Sequence, residues 1–330
     1  MSGWGALSEA GEQVMGRYRV EYKEEPLWGR VYVLQDEEAG LSAEVAPGVG
    51  FLWRSLCWEH PLRGPSELLY GAGDYGKVPI GGMSPVLFPV VGRLRLGDRD
   101  GVYRYGGREY RMDIHGFAKD MPWREDEAGE DERGAFVRAV LREDEKTLKQ
   151  YPFSFRFILT YRLLEGTFWA EAEVESEGPF ALGFHPYFSI PLAPDGRRED
   201  CEVRVPARAC WELKDLVPTG RKVQPAFPFA EGVPVEGEFD EVLTDLKPGE
   251  GNWWWAELRD EGANTGVLVQ AEARAFSEVV IFSPKGAFFL CIEPWTAPPN
   301  YLNREDIWDK SPYRLRARWR VKVRCPMDCF

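Results

Sequence analysis

The sequence predicts an all-β protein, a large antiparallel sandwich with a few short helices. Apolar and polar residues alternate with a period of two along most of the chain, and helical periodicity is scarce. In addition, 25 prolines and 34 glycines punctuate the 330 residues at short intervals, as strands joined by tight turns require.

The strands can be placed in order. Tyr18, Val20 and Tyr22 alternate with Arg17, Arg19, Glu21 and Lys23. Residues 103–110 read as a hairpin around Gly106-Gly107. The acidic stretch 125–132 reads as a surface loop, and 143–149 as a short helix, with a second helical piece at 303–309. Phe153, Phe155, Phe157, Leu159, Tyr161 and Leu163 form one apolar row. A turn at Glu165-Gly166 leads to a second row of Phe168, Ala170, Ala172 and Val174, which makes a long antiparallel hairpin. In the last strand Leu315, Ala317, Trp319, Val321 and Val323 alternate with Arg314, Arg316, Arg318, Arg320, Lys322 and Arg324. Such a basic face could contact nucleic acid. The reading adopted is a solvated outer sheet face, paired with Glu171, Glu173 and Glu175.

Composition narrows the function classes. Forty-one basic against 54 acidic residues give a net charge of −13, which disfavours nucleic acid and anionic membranes as partners. No apolar run approaches the roughly 18–20 residues of a membrane span. Residues 1–16 carry acidic groups where a secretory signal would have a basic start and an apolar middle, so a cytoplasmic location is expected. The six cysteines are scattered and are expected to be free thiols. Cys325 and Cys329 have no nearby His or Cys pair to complete a zinc site. No linker separates two compositional halves and no repeat is evident. One domain spanning 1–330 is therefore expected, with 1–16 and 325–330 as peripheral tails and a monomer or homodimer as the assembly.

Chemistry concentrates in a few places. Two of the three histidines lie in unusual contexts, His115 within Asp113-Ile114-His115-Gly116 and His185 within Gly183-Phe184-His185-Pro186-Tyr187. Pro186 restricts the backbone of His185 and so the direction of its ring. Glu293 ends an apolar strand, Leu290-Cys291-Ile292-Glu293, where burial would raise its pKa and make it a base unless a cation compensates. Arg93 is either a forked donor to ligand hydroxyls or a structural ion pair. Asp240 either accepts vicinal hydroxyls or serves a turn. Trp253, Trp254, Trp255 and Trp295 can offer flat faces to a sugar ring or pack as core.

In this combination the chain resembles the aldose 1-epimerase (galactose mutarotase-like) superfamily. The matching segments are 85–94, 115–120, Tyr151-Pro152-Phe153, 183–188, Phe239-Asp240, 292–295 and Pro299-Asn300, in family order. The resemblance implies a β-supersandwich, a sugar as small-molecule partner, and no metal or organic cofactor. By position it implies Glu293 as general base and His185 as general acid in ring opening and closing of a hexose. His115, Arg93, Asp240 and Trp295 would bind substrate. Galactose-specific members usually carry Asn-Arg where this chain has Gly92-Arg93, and a residue other than Trp295 after Glu-Pro. Arg is more usual at Lys119. These departures resemble the lactose-operon-associated branch. A hexose-6-phosphate branch would need additional cations, for which Arg93, Lys119 and Arg95 are the candidates, with Arg95 expected on the opposite strand face. A non-catalytic sugar-binding protein is the alternative from a different class.

Overall fold

A computed structural model of the chain describes residues 16–71, 82–308 and 311–325. Residues 1–15 and Cys329 lie outside this set. Three large antiparallel sheets carry the fold, in agreement with the alternation along the sequence. A five-stranded meander runs Tyr18–Glu25, Gly29–Asp36, Leu41–Ala46, Leu52–His60 and Gly64–Glu67. A nine-stranded sheet has Phe155–Leu164, Thr167–Ser176 and the final strand Tyr313–Arg324 near its middle. An eight-stranded sheet runs Val217–Val223, Ala207–Lys214, Phe239–Leu246, Glu278–Ser283, Phe289–Trp295, Gly183–Phe184 and Val86–Leu87 in spatial order, with Tyr187–Ser189 also paired to Phe289–Trp295.

The hairpin at Glu165-Gly166 forms as expected. Both residues have positive φ, 49° and 63°, which matches the twist of the flanking strands, and Phe155 pairs with Ser176 at the open end. Beside it the final strand lies in a register that sets Glu171 opposite Arg318, Glu173 opposite Arg316 and Glu175 opposite Arg314. Glu175 pairs with Arg314 at 2.7 Å and Glu173 with Arg316 at 3.3 Å. Glu171 turns to Arg133 at 3.1 Å, while Arg318 reaches Glu272 at 2.7 Å. The exposed pairs of Glu175 with Arg314 and Glu173 with Arg316 are screened by water and act on register more than on stability, whereas the carboxylate of Glu272 is buried.

Two local expectations need correction. The stretch 125–132 is not a loop but for its last residue: Arg124–Asp131 is the edge strand of the nine-stranded sheet, paired with Gly134–Arg142 and bulged between Glu125 and Glu127. An edge strand exposes most of its side chains, so it lacks apolar alternation, and its charges discourage edge-to-edge association. The piece at 303–309 is two single 3₁₀ turns, Tyr301–Asn303 and Glu305–Ile307, and Asp309 lies outside the described residues. The other helix forms as Glu145–Gln150, started by a capping box in which the Asp144 carboxylate accepts from the backbone N–H groups of Lys146 and Thr147.

One aromatic core joins the sheets. Trp319 of the final strand lies 6.0 Å from Trp53 of the meander and 5.1 Å from Phe184 of the eight-stranded sheet, and Trp53 stacks on Phe168 at 4.0 Å. At the edge of that core Phe88 contacts the rings of Phe117, Tyr151, Phe155, Phe157 and Phe180. Its carbonyl accepts from the backbone N–H of Phe117 and Ala118, which ties the loop carrying His115 to the core. Phe88→Ala is expected to lower the unfolding free energy by about 3–5 kcal/mol in urea titration, since the surrounding rings cannot collapse fully onto the void.

Candidate active site

Period two decides what the Phe289–Trp295 strand presents to each side. Leu290 and Ile292 enter the aromatic core, whereas Cys291, Glu293 and Trp295 face the other way. Across the neighbouring strands Glu293 lies opposite Val280, and Val280 opposite Val242. This row floors a cavity of about 220 Å³. Leu213, Leu216, Ile114 and Pro299 add apolar wall, and Arg93, His115, His185, Asp240, Glu293 and Trp295 all line it. The structure thus brings together all six residues selected from the sequence.

His185 follows the short Gly183–Phe184 strand, and its backbone N–H donates to the Pro85 carbonyl at 3.1 Å. Its ring lies flat on Tyr187, with centroids 4.4 Å apart and planes 4° from parallel. Nε2 sits 3.3 Å from Glu293 Oε1 and 3.4 Å from the Tyr187 hydroxyl. The other carboxyl oxygen, Oε2, accepts from the Trp295 indole N–H at 3.1 Å. Glu293 is 1% exposed and His185 7%.

His115 sits at a left-handed backbone position, φ 69°, which aims its ring back over the chain. Its backbone N–H donates to the Gly92 carbonyl, and the Gly92 N–H donates to His115 Nδ1 at 3.1 Å. With Nδ1 accepting, the neutral ring carries its proton on Nε2 and offers a donor there. The ring stands edge-on to His185 at 5.3 Å and to Trp295 at 5.8 Å. Gly92 has φ 61°, and a Cβ there would meet Pro299 at 2.9 Å and Trp295 Cη2 at 3.4 Å. A side chain at this position would therefore collide with the cavity wall.

The cations are largely committed. Arg93 lines the cavity and also pairs with Asp100 at 2.7 Å. Arg95 stays outside the cavity and pairs with the other carboxylate oxygen of the same Asp100 at 3.3 Å. It lines a separate surface cleft with Lys214 and Thr219. Lys119 donates to the Gly116 carbonyl at 3.2 Å and pairs with Asp120, away from the cavity lining. The Trp253 to Trp255 run also lies elsewhere. Trp254 is core, its N–H held by the Phe276 carbonyl, while Trp253 lies under Arg318 and Arg320, and Trp255 under Arg204.

Tyr187 and Cys291 were not singled out from the sequence. Each stands two residues from a selected side chain, His185 and Glu293, and period-two spacing would have found both.

The electrostatics of the cavity follow from its dryness. Burial drives the Glu293 carboxyl well above its ordinary range, against the Trp295 hydrogen bond that lowers it, and Asp240 adds to the rise. Burial drives His185 well below its ordinary value, with His115 adding to the fall. His115 is also pushed down, by burial and then by Lys119. Asp240 stands at the exposed rim, yet its cavity side is desolvated enough to raise its carboxyl, helped by Glu238. His185 and Glu293 sit within ion-pair distance, but desolvation of both partners favours the neutral imidazole and the protonated acid.

A stability signature follows. A carboxyl raised in the folded state binds its proton more tightly folded than unfolded. From the ordinary value near 4.5 up to the folded value, native stability therefore falls as pH rises. Glu293→Gln removes that dependence. Urea unfolding should show the variant gaining on the parent above pH 4.5, by up to about 1.4 kcal/mol per pH unit, and a difference independent of pH would contradict the assignment.

Residues 30–305 match the family described as aldose 1-epimerase. The LacX protein of Lactococcus lactis subsp. lactis is 23% identical over 248 residues, covering 70% of this chain and 79% of its own, which agrees with the branch resembled above. Among solved structures, a galactose mutarotase-like protein from Clostridium acetobutylicum superposes with a TM-score of 0.78 at 21% identity, covering 93% of this chain and 99% of its own. A galactose 1-epimerase from Lactobacillus acidophilus NCFM gives 0.71 at 15% identity, with 93% and 98% covered. The same kind of fold, and a family match running through the strand that carries Glu293, lead to one conclusion: the chain belongs to the aldose 1-epimerase family.

Proposed function

We propose that the protein is a cytoplasmic aldose 1-epimerase that interconverts the α and β anomers of an unphosphorylated hexose, with Glu293 as general base and His185 as general acid. The observation that carries this reading is the pair itself. A carboxyl and an imidazole stand 3.3 Å apart at one end of an apolar cavity of about 220 Å³, each with its pKa displaced by burial.

Anomer exchange needs a proton taken from the C1 hydroxyl and one given to the ring oxygen. These two oxygens share a carbon, so the two groups serving them must be neighbours. Both displacements run the right way: a raised carboxyl is a stronger base and a depressed imidazolium a stronger acid. The reactive form, carboxylate beside imidazolium, holds the same number of protons as the neutral pair, so it is reached without uptake or release. Ring opening then returns both groups to the neutral states that burial favours. The aldehyde turns about C1, and the reverse transfers close the other face.

The remaining roles follow from position. His115 Nε2–H donates to the ring oxygen or a neighbouring hydroxyl, the Trp295 indole holds Glu293 and walls the ring, and Arg93 and Asp240 take hydroxyls at the rim. The reaction calls for no metal or organic cofactor. Arg93 is the one cation lining the cavity among the described residues, and Asp100 already pairs with it, which favours a neutral sugar over a sugar phosphate.

NMR exchange spectroscopy between the anomeric protons of glucose, galactose and glucose 6-phosphate tests this. The parent should accelerate exchange of a neutral hexose, and Glu293→Gln should lose about 10²–10⁴ of that rate. Asp240→Ala should chiefly raise KM. A fully active Glu293→Gln enzyme would end the assignment, and binding without added exchange would make the protein a sugar sensor.

A further inference from the structure

At and just behind the wall of the cavity lie three ligand atoms of the kind that hold a soft divalent cation. His185, Cys291 and Glu293 each supply one, all three residues are buried, and the atoms lie within 4.8 Å of one another. The strand geometry produces this cluster. Cys291 and Glu293 stand two residues apart on one face of Phe289–Trp295, and Tyr187, which pairs with Cys291, supports the His185 ring.

The spacing is close to what zinc requires. Tetrahedral Zn²⁺ binds nitrogen and oxygen at about 2.0–2.2 Å and sulfur at about 2.3 Å, which sets neighbouring ligand atoms about 3.3–3.6 Å apart. His185 Nε2 and Glu293 Oε1 already stand at 3.3 Å. The sulfur has at most about 1.5 Å to close, within reach of a rotamer change.

Charge points the same way. Among the described residues no lysine or arginine forms an ion pair with Glu293. A divalent cation with one thiolate, one carboxylate and one neutral imidazole makes a group of zero net charge, which a dry site tolerates far better than an isolated carboxylate. The thiolate selects zinc-like ions over magnesium or calcium. Because His185 and Glu293 line the cavity, a water from it would be able to complete the coordination of a bound ion.

We propose that His185, Cys291 and Glu293 form a Zn²⁺-binding site whose occupation blocks the acid–base pair. On binding, the thiol and the carboxyl give up their protons to solvent, the imidazole contributes a lone pair, and no group changes oxidation state. The binding claim stands on geometry alone; the blockade rests on the function proposed above.

The test is a Co²⁺ titration of the metal-free full-length chain, followed by absorption. One equivalent should produce a thiolate-to-cobalt charge-transfer band and the strong visible bands of a four-coordinate ion, both removed by Zn²⁺. Cys291→Ser should abolish the charge-transfer band, and His185→Gln should weaken Co²⁺ binding by about 100-fold or more. Absence of the band, or its survival in Cys291→Ser, would overturn the site. Should Cys291→Ser fail to fold, undiminished Co²⁺ binding by His185→Gln would overturn it equally. In the exchange assay Zn²⁺ should arrest the parent, and inhibit Cys291→Ser far less relative to that variant's own rate; equal inhibition of both would overturn the blockade. A chain with no exchange activity at all would sink the epimerase reading, and the cobalt spectrum would still decide the metal site.

Discussion

The strand Phe289–Trp295 has to meet two opposed demands at once. Leu290 and Ile292 must sink into the aromatic core for the sheet to pack, and period two then forces Cys291, Glu293 and Trp295 onto the other face, where Glu293 is left 1% exposed. A carboxyl in that position can be neutralised by a cation, by a proton or by a partner that exchanges protons with it. The fold supplies the third. His185, immobilised between the Pro85 carbonyl and the Tyr187 ring, is that neighbour, and in the proposed reaction it receives or returns the proton. The apolar floor of Val242 and Val280 keeps the dielectric low enough for the exchange to matter.

The rest of the architecture serves to hold that pair still. The three sheets meet through Trp319, Trp53 and Phe184, so the short strand leading to His185 is anchored in the core although it is only two residues long. Phe88 does the same for His115, through two backbone hydrogen bonds to its carbonyl. Both histidines therefore sit on brief, irregular pieces of chain that owe their rigidity to buried rings. That arrangement suits side chains that must be aimed more accurately than a free loop permits.

Much of this was legible before any coordinates, for a physical reason that also marks where legibility ends. The Glu165-Gly166 hairpin and the pairing of Glu173 and Glu175 with the final strand are local or strictly periodic, so alternation alone exposes them. Glu293 and His185 were legible through context: a carboxyl after four apolar residues, and a ring fixed by a following proline. Facing was harder. A pattern of alternation says which residues share a side but not which side looks into the cavity, so it left Trp253, Trp254 and Trp255 open between sugar face and core, and the structure puts Trp254 in the core and the other two under arginines. The edge strand Arg124–Asp131 escaped because its burial is too slight to leave an alternating trace.

Gly92 and Trp295 were noted in the sequence as two separate departures from the usual family pattern, and the structure makes them one. The indole of Trp295 reaches to 3.4 Å from where a Cβ of residue 92 would begin, while its N–H holds Glu293. Together with the Pro299 ring, 2.9 Å from the same point, the indole bounds the volume that a longer residue 92 would claim. The polar contact such a residue would offer a ligand is thereby exchanged for a flat apolar surface beside Glu293. In evolutionary terms position 92 is tied to two others. A lineage drifting toward a side chain at 92 must first move Pro299, whose ring stands 2.9 Å from that Cβ position, and any group longer than a methyl then meets the indole that holds the carboxyl.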